Sequence, residues 1–457
     1  MQSFQLPHGC EVLLHVQGNA VPSQRRQPVT NHAQHFTSAL LSRLRATAFA
    51  VALVFALTSF PVHLAQAQTF TVLHTFSGPD GAYPYAGVTV DGGGNLYGTT
   101  PVGGLKDGTV FKLRRSSSGY TLNPLYSFTG YGGPAIPYGG VIFGPDGTLY
   151  GTTNEGGAIG LGTVFNMRPP ATVCKTALCP WTINQLYAFQ GFDGADGGNP
   201  EYGEVAFDQA GNIYGTTRNY GPNGDGMVYQ LSRSSGGWTE NILYNFRGVN
   251  GSDGAWPDHN VIFDSSGNLY GTTSSGGLYG GEYGGGTVFR LTPSGSGWTE
   301  SVIMNFPPPG SNVGVYLQAG LIIDQADNLY GATSFSSGGY EGGSVFELSP
   351  SSNGWELTVL YVFTEDNSQG PVGNLVMDNS GNLYGATYAA GAFGWGNVFK
   401  LTRSGGGWTY TDLYDFTEGN DGALPSGDLT MDASGNLYGT TQKGGSYGLG
   451  VVWEITP

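Results

Sequence analysis

A seven-residue stretch, Gly94-Asn95-Leu96-Tyr97-Gly98-Thr99-Thr100, returns six more times in near copy, and nothing else limits the fold of this chain so strongly. The copies centre on Tyr97, Tyr150, Tyr214, Tyr270, Tyr330, Tyr384 and Tyr438, at spacings of 53, 64, 56, 60, 54 and 54 residues. Self-similarity at such a period marks a supersecondary unit too small to bury its own apolar face, which must stack on its neighbours.

Each repeat resolves into four strand signals. The first is short and apolar, as in Val88 to Val90, Val261 to Phe263 and Leu429 to Met431. An Asp-x-x-Gly-Asn turn follows, in which Asp can accept backbone N–H groups and Gly can take positive φ. It delivers the Leu-Tyr-Gly-Thr-Thr strand. A Gly-rich loop leads to a third strand of Gly-Thr-Val-Phe type, such as Val288-Phe289. The fourth typically opens on Trp and closes on Leu-Tyr-x-Phe, as in Trp238 with Leu243, Tyr244 and Phe246. Glycine, 79 of 457 residues, falls between these strands, and charged residues are only 11% with aromatics at 13%, which argues against disorder. The class is all-β.

The seventh repeat stops at its third strand, Val451 to Ile455, whereas Thr69 to Phe76 reads as a fourth strand with no first three before it. The N-terminal strand is therefore expected to complete the C-terminal repeat and close a ring that hides its sheet edges. The prediction is a seven-bladed β-propeller of four-stranded blades over residues 68–457.

Residues 1–67 read as a leader. Arg43 and Arg45 flank an apolar run from Ala46 to Leu57, and Ala65-Gln66-Ala67 supplies an A-x-A site; this is the pattern of a secretory signal peptide cut near Ala67, leaving no membrane span in the mature chain. The protein is expected outside the cytoplasm, as a secreted, cell-surface or periplasmic monomer. A net charge of −16 disfavours nucleic acid and anionic membrane as partners. Cys174 and Cys179, the two mature cysteines, read as a disulfide pinching a loop, since no further ligand for a metal lies near.

The units Leu-Tyr-Gly-Thr-Thr, Gly-Gly and Gly-Thr-Val-Phe-x-Leu across residues 69–457 resemble the GloVer (Gloeo/Verruco) tandem repeat of exported bacterial proteins. The resemblance implies export and often a surface anchor. It carries no activity and no catalytic residues.

Residues repeated in every blade are scaffold, so the candidate site is sought where one blade departs from its siblings in a polar direction. At the position of Tyr85-Ala86, just before the first strand, the other blades carry Tyr138-Gly139, Glu201-Tyr202, Asp258-His259, Gln318-Ala319, Val372-Gly373 and Ser426-Gly427. Glu201, Tyr202, Asp258 and His259 are expected to meet at the channel mouth of blades three and four, with Asp196, Arg218, Tyr220 and Trp256 from neighbouring loops. A His beside carboxylates and aromatic rings can clamp a sugar, hold a cation or transfer protons. His74, where five of the other six fourth strands carry Tyr, reads as structural. Asp80, Asp253 and Asp421, each followed by Gly, read as turn formers; calcium is the competing reading, but such single carboxylates fall short of the about six to eight oxygens it prefers. No cofactor and no catalytic constellation are expected. The leading expectation is a non-enzymatic module binding a glycan or an extracellular protein, the alternative a propeller-type hydrolase or lyase acting at that mouth.

Overall fold

The computed structural model describes residues 68–457 apart from 131, 171–180, 192–195, 249–251, 280–284, 296, 308–313, 335–341 and 364–368. The leader and the Cys174–Cys179 pair lie outside the described residues. The chain forms seven four-stranded antiparallel sheets, the blades of a β-propeller. Blade four shows the plan, with strands Ile262–Phe263, Leu269–Thr273, Thr287–Ser294 and Gly297–Asn305 hydrogen-bonded in chain order. Blade seven takes Thr430–Met431, Leu437–Thr441 and Val451–Thr456, and its outer strand is Thr69–Thr75 from the N-terminus. Phe70 stands opposite Ile455 and Val72 opposite Trp453, which closes the ring.

The repeated residues divide the work of making a blade. In the turn before the second strand, Asp264 Oδ1 accepts the amides of Ser266 and Asn268, while its Oδ2 accepts the Asn268 side chain at 2.6 Å and the Tyr270 hydroxyl at 3.0 Å. Tyr97 makes the same bond to Asp91, and its ring packs edge-on against Phe143 of the next blade, centroids 5.2 Å apart. The tyrosine thus ties its own turn and fills the layer between blades. The glycine of the motif makes room across the strand pair. A Cβ on Gly271 would lie 2.5 Å from the ring of Phe289, and one on Gly98 would lie 2.6 Å from that of Phe111. The first threonine reaches the next blade's backbone, Thr99 to Gly139 O and Thr216 to His259 O, both at 2.8 Å. Between blades seven and one, Thr440 donates to Ala86 O at 2.8 Å.

Outer strands are tied to the loops that follow them. Tyr187 donates to Asp196 at 2.9 Å and Tyr414 to Asp421 at 3.0 Å, and His74 fills the same place against Asp80 at 2.8 Å. These carboxylates also accept the backbone amides of Gln190, Thr417 and Ser77. The Asp of each such loop is a clamp built from local donors.

At the junction of blades two and three, Glu240 joins this clamp: the Tyr187 hydroxyl lies 3.1 Å from Glu240 Oε2 as well as 2.9 Å from Asp196 Oδ2. One phenolic proton cannot serve both oxygens. Burial, and then the Asp196 carboxylate, push the Glu240 carboxyl well above its ordinary 4.5. A raised carboxyl stabilises the folded state fully below its unfolded value, and that contribution is lost as pH rises through the folded value. Glu240→Gln is therefore expected to flatten the decline in stability between pH 5 and pH 9, by at most about 1 kcal/mol per pH unit. Thermal unfolding across that range checks it; an unchanged slope contradicts the raised Glu240 carboxyl.

Candidate functional site at the channel mouth

Counted back from the first strand of each blade, the third residue is Tyr85, Tyr138, Tyr202, Asp258, Gln318, Val372 and Ser426. All seven line one cavity of about 200 Å³ at the mouth, joined by Gln369, Tyr388 and Gln442. The aromatic side is built by three successive blades. Tyr85 and Tyr138 meet edge-on with centroids 5.1 Å apart, and Tyr138 and Tyr202 lie 5.9 Å apart. The other side is polar: Gln369 donates to Gln318 at 3.1 Å, Tyr388 to Gln442 at 3.3 Å, and Ser426 to Tyr85 O at 3.1 Å.

Two residues further on, immediately before the strands, the column reads Gly87, Gly140, Glu204, Asn260, Gly320, Asn374 and Asp428. Four of these, with Gly87, line a second cavity of about 340 Å³ inside the channel, and Asp428 lines both cavities. Asn374 organises the band, donating its side-chain N–H to Asn260 at 3.1 Å and to Asp428 at 2.9 Å, and its backbone N–H to Asp428 at 2.6 Å. Glu204 and Asp428 are enclosed by the ring yet face its bore, so water reaches them in part. Both carboxyls are raised, Glu204 by burial and then by Asp428, Asp428 by burial against the opposing Asn374 amide.

The residues singled out from the sequence separate into three groups. Arg218 gathers the first: its Nη1 lies 2.6 Å from Glu201, its Nε 3.6 Å from Asp258 Oδ1, and its guanidinium sits over Trp256 at 5.5 Å. Trp256 holds a positive φ of 59° there, and its amide donates to Asp225 O. Tyr202 and His259 form the second, their rings stacked 5.9 Å apart at the mouth. Asp258, only 3% exposed, links the two groups and is pushed up to about 7 by burial, against the pull of Arg218. Burial pushes His259 down to about 4, so its ring is neutral at pH 7. A neutral ring with so low a value is a weak base, and Glu201 is committed to Arg218; this geometry holds a ligand better than it transfers protons.

Asp196 and Tyr220 make the third group, and the structure does not bring them to the mouth. Asp196 belongs to the loop clamp with Tyr187, the equivalent of Asp80 and Asp421. Tyr220 pairs with Gly197 in a two-stranded ribbon and packs against the core that contains Leu161. The pairing of Glu201 with the Tyr85 position also needs correcting. Blade three carries one residue more between Asn199 and Val205 than blade one does between Tyr83 and Val88. The extra residue turns Glu201 outward to Arg218 and leaves Tyr202 beside Tyr85 and Tyr138. The tyrosines of blades one and two, and the whole Glu204 to Asp428 band, are residues that reading one column in isolation passes over.

Fold and mouth together define a closed seven-bladed propeller with a ligand-sized pocket at one end of its channel. The sequence matches the Gloeobacter/Verrucomicrobia repeat over residues 54–185, 172–306 and 278–457, and the chain belongs to that family. No curated protein matches it. Similar solved structures include the extracellular domain of a one-component system from B. thetaiotaomicron, 14% identical over 85% of this chain and 40% of that one, TM-score 0.48. PorZ, a surface component of the type-IX secretion system of Porphyromonas gingivalis, is 14% identical over 84% of this chain and 48% of its own, TM-score 0.48. A PL25 ulvan lyase is 10% identical over 85% and 95%, TM-score 0.49. This chain therefore spans under half the length of the first and second of these.

Proposed function

We propose that the protein is an exported, non-enzymatic binding module that holds a glycan in its channel mouth. The observation that carries this reading is the wall of half-buried rings, Tyr85, Tyr138 and Tyr202, facing Gln318, Gln369 and Gln442 across a cavity of about 200 Å³. A sugar presents an apolar ring face and a rim of hydroxyls, which suits aromatic faces on one side and carboxamides on the other. The volume accommodates the end of a chain, and the open mouth lets the remainder run outward. Export rests on the leader pattern, the apolar run Ala46 to Leu57 flanked by Arg43 and Arg45 and ending at Ala65-Gln66-Ala67.

Calorimetric titration with neutral, N-acetylated and amine-bearing oligosaccharides tests the reading. Tyr138→Ala and Tyr202→Ala are each expected to weaken the tightest binder about tenfold, the range for a lost aromatic face, with little change in the unfolding midpoint. Unchanged affinity in both variants would contradict it.

A further inference from the structure

The charge of the mouth narrows the class of glycan, an inference that rests on the binding reading above. Among the described residues the lining holds Asp258 and Asp428 and neither Lys nor Arg. The guanidinium nearest in the described cluster, Arg218, is engaged by Glu201 and Asp258 and is not part of the lining. His259 adds no charge at neutral pH. Four tyrosines, Tyr85, Tyr138, Tyr202 and Tyr388, face the same space, and the faces of aromatic rings attract cations. Asp258 Oδ1 is buried without a hydrogen-bond partner among the described residues, its nearest cation being Arg218 at 3.6 Å. Asp428 forms the passage between the mouth and the channel, with Asn374 as its hydrogen-bond donor.

We propose that the mouth selects an amine-bearing glycan, its protonated amine seated over Asp428 and against the tyrosine faces. A uronic acid in the same place would bring a carboxylate out of water to face two carboxyl groups with no cation to meet it. An N-acetylated sugar would keep the ring stacking and lose the ion pair.

The groups that titrate around the seat are Asp428 and Glu204 in the channel band, and Asp258 with Arg218, Glu201 and His259 on blades three and four. The three carboxyls Asp428, Glu204 and Asp258 hold their protons to higher pH than ordinary carboxyls. An arriving ammonium favours their ionised forms, so binding releases protons and strengthens as pH rises from about 5 to about 6, where the sugar amine still holds its proton.

Calorimetry on the mature chain with four probes tests the proposal: a glucosamine tetramer, its fully N-acetylated counterpart, a galacturonate tetramer, and choline. The glucosamine tetramer is expected to bind about tenfold more tightly than the N-acetylated form at pH 6.5, with no binding of the galacturonate. Asp428→Asn is expected to erase that preference while leaving the N-acetylated affinity in place. An N-acetylated or galacturonate tetramer that binds the wild-type protein as tightly as the glucosamine tetramer overturns the charge inference and leaves glycan binding standing. Choline binding with no sugar binding, or no binding of any probe, overturns the glycan reading itself.

Discussion

A chain lacking Thr69–Thr75 is expected to lose its single cooperative unfolding transition and to aggregate. This strand closes the ring, because its backbone hydrogen-bonds to Val451–Thr456 from the opposite end of the chain. Its removal uncovers the backbone edge of a strand whose side chains Val451, Val452 and Trp453 are fully buried. Phe70, stacked on Tyr414 of blade six at 3.7 Å with the rings 6° from parallel, goes with it. An exposed apolar edge of this kind templates pairing with another chain. Losing Phe70, Val72 and Leu73 from the blade-seven interfaces removes roughly 5 kcal/mol of burial, comparable to the whole stability of many domains. Calorimetry with size-exclusion chromatography reads the result. A monomer whose midpoint moves by only a few degrees would show that the ring does not depend on this closure.

The second large effect is expected at the glycine of the repeat. Gly271→Val puts a branched side chain where even a Cβ would lie 2.5 Å from the fully buried ring of Phe289. The ring cannot retreat, since it packs edge-on against Phe246, centroids 5.1 Å apart. Overpacking of this sort costs about 1–3 kcal/mol, and the branched residue should sit at the upper end or beyond it. Gly407→Ala is the control. That glycine has no neighbour within 4 Å of the added carbon, and its substitution should fall within about 0.5 kcal/mol of neutral. Equal denaturation midpoints for Gly271→Val and the control would sink the cross-strand account of the motif.

The blades were legible in the sequence because the same local rules return from blade to blade. The Asp turn, the glycine opposite an aromatic ring and the Tyr-x-Phe of the outer strand are all short-range, and they agree with one another in most copies. Closure was legible for the same reason, a fourth strand surplus at one end and missing at the other. The mouth was legible only in part. Asp258, His259 and Tyr202 stand out as exceptions at one column, and the structure sets them around one pocket. Tyr85 and Tyr138 did not, because a tyrosine shared between blades resembles scaffold until the ring brings three of them together. Glu204, Asn260, Asn374 and Asp428 escaped for a different reason. The residue inserted before Val205 shifts the count in blade three, and their bonds join blades that are 54 to 114 residues apart in sequence. Such contacts belong to the closed ring and to no single repeat.

The central claim is that function resides where the blades disagree, at the mouth of the channel. A crystal structure with the tightest-binding oligosaccharide tests it most directly. The account predicts a sugar ring within about 4 Å of Tyr138 or Tyr202, with its amine directed at Asp428. A sugar bound on the outer strands, with the mouth holding only water, would contradict it.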